Sequence, residues 1–266
     1  MGLLTDIQVP QARADKALGA AIPDQIEQDI LSIIGDGVSF TLSDDADPTN
    51  RTVTFSDGKS LPVSDLDKLV PCFTPGTAIA TPKGEMLVED LRVGDRIITR
   101  DNGIKPITWM GKKRIDYQQL NALPAVRPIL ISQGALGNGL PERDMLVSPS
   151  HRMLIVSDIA KTYFERKEVL VAAKHMLDMD GVEISNQPYI TYVPIMCENH
   201  EIILSDGAWS DSFHPGDFTL KGFDTSQREE LFMLFPELET AEGVANYNAA
   251  RKSLGRKDAK KYFTAA

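Results

Sequence analysis

Three short stretches hold the side chains of this 266-residue chain best suited to chemistry: Val70-Pro71-Cys72-Phe73-Thr74-Pro75-Gly76-Thr77, Ser148-Pro149-Ser150-His151 and Glu198-Asn199-His200. A thiol with a lowered pKa is the strongest side-chain nucleophile at neutral pH, and Cys72 stands beside threonines and a Pro-Gly turn, just ahead of a series of short β-like runs. The competing reading of Cys72 is a small buried hydrophobe, since free cysteine is among the most buried residue types. His151 and His200, taken singly, read equally well as core or corner histidines. Asp44, Asp45 and Asp47 raise the question of calcium. A solvated turn accounts for them better, because an EF-hand loop needs a longer register and a terminal Glu that is missing.

The elements that must position these groups are short strands. From Cys72 onward the chain reads Ala78 to Thr81, Arg96 to Thr99, Lys105 to Trp109, Val126 to Ser132, Asp144 to Val147, Met153 to Val156, Glu168 to Ala172, Val182 to Ile184, Pro188 to Met196 and Ile202 to Leu204, punctuated by Gly, Pro and Asn-Gly or Asp-Gly. Turn signals this dense predict the hairpins of an all-β domain. Ser148 to His151 falls at a corner between two runs, and Glu198 to His200 at the corner before the last. Upstream, Ile26, Ile30, Ile33 and Ile34 at helical spacing after Pro23 predict a short helix over 24–34, followed by a hairpin from Val38 to Leu42 and Arg51 to Phe55. Downstream, Ser226 and Glu229 have capping-box spacing ahead of Leu231, Phe232, Leu234 and Phe235, and a second helix is expected over Ala241 to Leu254. The expected layout is an acidic leader over 1–71, a β domain over 72–220 and a C-terminal helical tail over 221–266.

Bulk properties narrow the function classes. The formal charge is -10, of which residues 1–71 hold -7 from 12 Asp+Glu against 5 Lys+Arg, and this argues against a nucleic-acid partner. Two cysteines, Cys72 and Cys197, cannot build a disulfide framework, so an apolar core must hold the fold. Met1-Gly2-Leu3-Leu4-Thr5-Asp6 lacks a basic region followed by an apolar run, and no stretch has the length of a membrane span. The expectation is a protein without signal peptide or membrane anchor, cytoplasmic or exported by a signal-less route.

Read as a set, the stretches resemble a known family. Cys72 to Thr81 with Val88-Glu89-Asp90-Leu91-Arg92-Val93-Gly94-Asp95-Arg96-Ile97 is similar to the opening of a Hint domain, the module shared by Hedgehog autoprocessing domains and inteins. Gly134 to Gly139 leads into Arg143 to Arg152, where Ser148 and His151 resemble the Thr-x-x-His block with Ser in the Thr position. Asn199 to Gly207 resembles the block near the domain's end, and order and spacing fit the bacterial branch over about residues 70 to 255.

That resemblance implies an all-β Hint fold and a reaction. The Cys72 thiol would attack the carbonyl carbon of Pro71 and move the acyl chain from nitrogen to sulfur. Ser148 would hydrogen-bond the scissile peptide, His151 would give a proton to the departing amine, and His200 would belong to the closing block. Because the nucleophile sits inside its own peptide, no cofactor is needed. The substrate is the chain's own N-terminal segment, and the acceptor is water or an unknown nucleophile. An intein ends in His-Asn before Cys, Ser or Thr, whereas the corresponding region here reads Ala208-Trp209-Ser210-Asp211-Ser212, so full splicing is not expected. Nor is sterol transfer, since no counterpart of the activating aspartate is evident. Pro71 is a hindered acyl donor, its carbonyl partly satisfied by n→π* donation. The same resemblance brings Cys197 toward Cys72, where a disulfide would gate the chemistry; a buried, unpartnered Cys197 is the alternative. For the whole protein, the alternative is a non-cleaving interaction or structural module on the Hint scaffold.

Overall fold

The computed structural model describes residues 40–42, 52–55, 60–62, 71–117, 120, 126–215 and 225–265. The chain divides into two units, Met1–Lys68 with Phe218–Phe223 and Leu69–Asp217 with Asp224–Ala266. In the first, Phe40–Leu42 and Thr52–Phe55 form the expected antiparallel hairpin, with Phe40 opposite Phe55, and Ser60–Pro62 adds a third strand on the far side of Thr52–Phe55. The helix expected over 24–34 and the aspartates of 43–50 lie outside the described residues.

The second unit is built on short antiparallel strands. Its largest sheet runs in the order Ser253–Leu254, Glu168–Ala172, Arg152–Val156, Ala208–Asp211, Ile202–Ser205, Ala78–Thr81, Gly84–Leu87, with Arg96–Thr99 also pairing Ile202–Ser205 and then Gly103–Pro106. Smaller ladders join Ile129–Ile131 to Met145–Val147 and Val182–Ile184, Lys113–Ile115 to Ile190–Tyr192, and Trp109–Met110 to Ile195–Met196. The inward faces make a large core in which Phe73, Ile79, Ile97, Ile107, Val147, Met153, Val171 and Ile195 are fully covered, and Leu154, Leu170 and Ile202 form a smaller cluster.

One hairpin matters more than the rest for the site. Ser205 pairs with Ala208 across Asp206-Gly207, and these two residues have φ of 45° and 75°. Positive φ at both central positions is what a type I′ turn requires, and Asp-Gly supplies it. The tight turn sets the register, so Ile202 faces Asp211. A slip of one residue would swing every side chain of the strand to the other face of the sheet.

Several boundaries differ from expectation for local reasons. The run Lys105 to Trp109 breaks after Pro106, and Pro188 to Met196 splits at Pro194, because proline has no N–H to give a ladder. Ile202–Ser205 is not the last strand of the domain; Ala208–Asp211 folds back on it. Asp158–Phe164 is a helix that the β-like pattern concealed, started by Ser157, whose hydroxyl accepts the Ala160 N–H at 3.0 Å. The helix expected ahead of Leu231 is Thr225–Leu234. The helix from Ala241 stops at Asn246; Ser253–Leu254 instead pairs in parallel with Glu168–Ala172, and the basic tail is the helix Arg256–Ala265, with Ala259 and Tyr262 buried. Residues 224–266 thus belong to the same unit as the β domain. Among the described residues no helix is long and apolar enough to cross a membrane.

Candidate active site

Cys72 is held from both sides. Phe73 exchanges two backbone hydrogen bonds with Val193, at 3.1 and 2.9 Å, and also bridges Val147. Its fully buried ring anchors the segment, and the Thr74 hydroxyl donates to the Leu146 carbonyl at 2.8 Å. Cys72 is thereby delivered to the end of the strand Met145–Val147, where Ser148 meets it twice. The Cys72 N–H donates to Ser148 Oγ at 2.9 Å, and the Ser148 N–H donates to the Cys72 carbonyl at 3.0 Å. The first of these N–H groups belongs to the Pro71–Cys72 peptide. Both residues are buried, and burial pushes the Cys72 thiol up, with Asp211 adding to the rise and Lys113 opposing it.

The turn from Ser148 closes when the His151 N–H donates to the Ser148 carbonyl at 3.0 Å, which places the His151 ring edge-on to Phe73 with centroids 4.4 Å apart. Beneath it lies Asp211, completely buried at the end of its strand. Asp211 Oδ1 accepts the Arg152 N–H at 2.9 Å and lies 3.8 Å from His151 Nδ1. Oδ2 faces Arg152 Nη1 at 3.4 Å and His200 Nε2 at 3.7 Å, both at ion-pair separation, the latter too long for a hydrogen bond. Burial works to raise the Asp211 carboxyl, but His200, Arg152 and His151 outweigh it and hold it below the usual carboxylate range. His151 goes the other way: burial lowers it to about 4 despite the favourable charge of Asp211. At neutral pH the site therefore pairs an uncharged imidazole with an ionised carboxylate.

Residues 71–217, over half of the chain, match the family model of the Hint domain. The chain belongs to the Hint family. No curated protein matches it. Among solved structures it is similar to the bacterial intein-like domain from Clostridium thermocellum, at 12% identity over 53% of this chain and 97% of that one, with a TM-score of 0.34. It is also similar to the gp41-1 intein, at 10% over 53% and 97% with 0.32, and to a splice-inactive variant of the AceL NrdHF class 3 split intein, at 13% over 53% and 97% with 0.35. A Hint fold carries with it, in general terms, a Hint-type autoprocessing role.

Within this Hint domain, the residues singled out in the sequence are not all placed alike. Cys72 and Ser148 meet directly. Ser148 Oγ engages the N–H of the Pro71–Cys72 peptide and not its carbonyl. His151 is on the same turn as Ser148. His200 stands behind Asp211: its Nδ1 accepts the Ala250 N–H at 3.0 Å and its Nε2 faces the carboxylate. Cys197, like Cys72, is free and buried. Phe73 pairs with Val193, so Cys72 falls opposite Pro194, and Cys197 is three residues further, about 10 Å at strand rise. A disulfide needs Cα atoms within about 7 Å. Burial pushes the Cys197 thiol up to about 12, and its carbonyl accepts the Tyr247 hydroxyl at 2.9 Å.

Sequence reasoning passed over Asp211, and with it the segment around Tyr247 and Ala250. The signal for Asp211 was present in the Asp206-Gly207 pair: counting outward from a two-residue turn puts Asp211 opposite Ile202, two residues from His200. Nothing local marked Ala250, whose contribution is a backbone N–H.

Proposed function

We propose that this Hint domain processes itself at the Pro71–Cys72 bond by an N-to-S acyl shift, releasing or transferring residues 1–71 without splicing. The observation that carries the reading is the 2.9 Å hydrogen bond from the Cys72 N–H to Ser148 Oγ, reciprocated by the Ser148 N–H to the Cys72 carbonyl at 3.0 Å. The first holds the N–H of the Pro71–Cys72 peptide and the second holds the carbonyl of the next peptide, Cys72–Phe73, so the nucleophile's own backbone is pinned on both sides. Well-aligned intramolecular attack reaches effective molarities on the order of 10⁵ M or more.

In the step, Cys72 Sγ bonds to the Pro71 carbonyl carbon and the carbon–nitrogen bond breaks. The thiol proton passes to His151 and from it to the Cys72 nitrogen, which leaves as an amine. Burial keeps the thiol protonated and His151 neutral at rest, so the imidazole has room for that proton. The resulting thioester joins the Pro71 acyl group to Cys72 Sγ, and water or another nucleophile then displaces it. Neither nucleic acid nor a membrane has a part in this scheme.

The depth of Cys72 favours a second reading, a non-cleaving module, since a thiol raised by burial is a poorer nucleophile. Mass decides between them. Purified chain followed by intact-mass spectrometry over hours, with and without dithiothreitol, should yield a fragment ending at Pro71 faster with the thiol. Cys72→Ala should yield none; an intact wild-type chain under both conditions selects the module.

A further inference from the structure

We propose that Asp211 is a positioning residue for His151: its carboxylate fixes the imidazole as the Nδ1–H tautomer, leaving Nε2 as the nitrogen that relays the proton. This rests on the acyl-shift reading above for its function, but its geometry stands separately.

The argument begins at the far side of the carboxylate. The Ala250 N–H donates to His200 Nδ1 at 3.0 Å, so that nitrogen is an acceptor and, in the neutral ring, the proton of His200 is on Nε2, the atom 3.7 Å from Asp211 Oδ2. Arg152 presents its backbone N–H to Oδ1 at 2.9 Å and its guanidinium to Oδ2 at 3.4 Å. Every one of these groups around the buried carboxylate is a donor. The remaining neighbour is His151 Nδ1, 3.8 Å from Oδ1. A bare Nδ1 would set a lone pair against a carboxylate oxygen with both side chains buried, which such a site does not tolerate cheaply. A proton on Nδ1 removes the conflict. Neither ring nitrogen has a hydrogen-bond partner among the described residues, so with the proton on Nδ1 the buried Nε2 is left bare and free to take the thiol proton.

Asp211 also stabilises the imidazolium formed in passing, as a third group orients and charges a nucleophile–base pair. The charged or titratable groups around His151 are Asp211 and Arg152; around Asp211 they are His151, His200, Arg152 and, at longer range, His214 and the Cys72 thiol.

The test uses the full chain carrying Cys72→Ala, in which no acyl shift can occur, with ¹⁵N-labelled histidine. Its His151 ring should show a protonated Nδ1 and a bare Nε2. A protonated Nε2 would overturn the proposal, whatever the cleavage assay says. Adding Asp211→Asn should mix the tautomers and move the His151 titration to lower pH, since a favourable charge is gone. With Cys72 restored, Asp211→Asn should slow cleavage by about 10² or more at pH 7 and carry the acid limb of the rate profile downward with it. An unchanged tautomer and titration in the folded variant would make Asp211 a merely structural residue and sink the proposal. Absence of cleavage in the wild-type chain would count against the acyl shift alone, because the ring spectra still decide the tautomer.

Discussion

Acid should unfold this protein by way of His151, and the size of the effect follows from its burial. The ring is fully covered, its pKa is lowered from 6.5 to about 4, and the unfolded chain exposes it at its ordinary value. Between those values the unfolded chain binds a proton that the folded chain refuses. Stability from this group is therefore complete above about pH 6.5 and is lost as pH falls toward 4. One pKa unit corresponds to about 1.4 kcal/mol, so the loss from His151 alone is roughly 2 kcal/mol at pH 5 and roughly 3 kcal/mol at pH 4. The assay is urea unfolding of the Cys72→Ala chain at pH 7 and pH 5, beside the same chain with His151→Gln. His175 and His214, also lowered to about 4 by burial, add a slope common to both proteins. The difference between the two pH dependences isolates His151 and should be about 2 kcal/mol. Parallel dependences would refute the claim that the ring is held neutral.

His151→Ala should slow cleavage by roughly 10² to 10⁴, the usual worth of a group that moves a proton, with the fold retained by circular dichroism. Ser148→Ala should cost less, about 1 to 3 kcal/mol of barrier for one hydrogen bond to the scissile N–H, read from single-turnover rates. Gly207→Ala strains a residue at φ 75° and puts a Cβ 2.6 Å from Glu142 Cγ; it should lower Tm by about 4 to 8 °C, for roughly 2 kcal/mol, and slow cleavage by disturbing the register that carries Asp211. Mild oxidation should leave two free thiols in the denatured chain and cleavage unchanged; loss of both thiols would show that Cys72 and Cys197 meet after all.

Much of this was legible before any coordinates. The hairpins of an all-β domain could be read from Gly, Asp-Gly and Asn-Gly at short intervals, and Ala78–Thr81, Arg96–Thr99, Glu168–Ala172 and Val182–Ile184 fall where short β-branched runs between turn residues put them. Strand breaks were less visible, because Pro106 and Pro194 interrupt apolar runs that pattern alone reads as continuous. Motif spacing joined Cys72 to Ser148 across 76 residues, and the Cys72 N–H donates to Ser148 Oγ. It did not reach Asp211. Chemistry-bearing residues declare themselves by type and local block, whereas Asp211 acquires its place from a register set five residues earlier, and Ala250 from a tail that folds back to meet His200. The resemblance pointed Ser148 toward the Pro71–Cys72 peptide, but that its hydroxyl meets the N–H of that peptide follows from where the strand Met145–Val147 ends.

Hydroxylamine offers the most direct test of the central claim, because it attacks a thioester far faster than an amide. Wild-type chain incubated with it at neutral pH should release residues 1–71 carrying a hydroxamate on the Pro71 carbonyl, identified by tandem mass spectrometry, together with a fragment beginning at Cys72. The Cys72→Ala chain should remain whole under the same treatment. Equal cleavage of the two chains, or a wild-type fragment ending anywhere but Pro71, would contradict an acyl shift to Cys72.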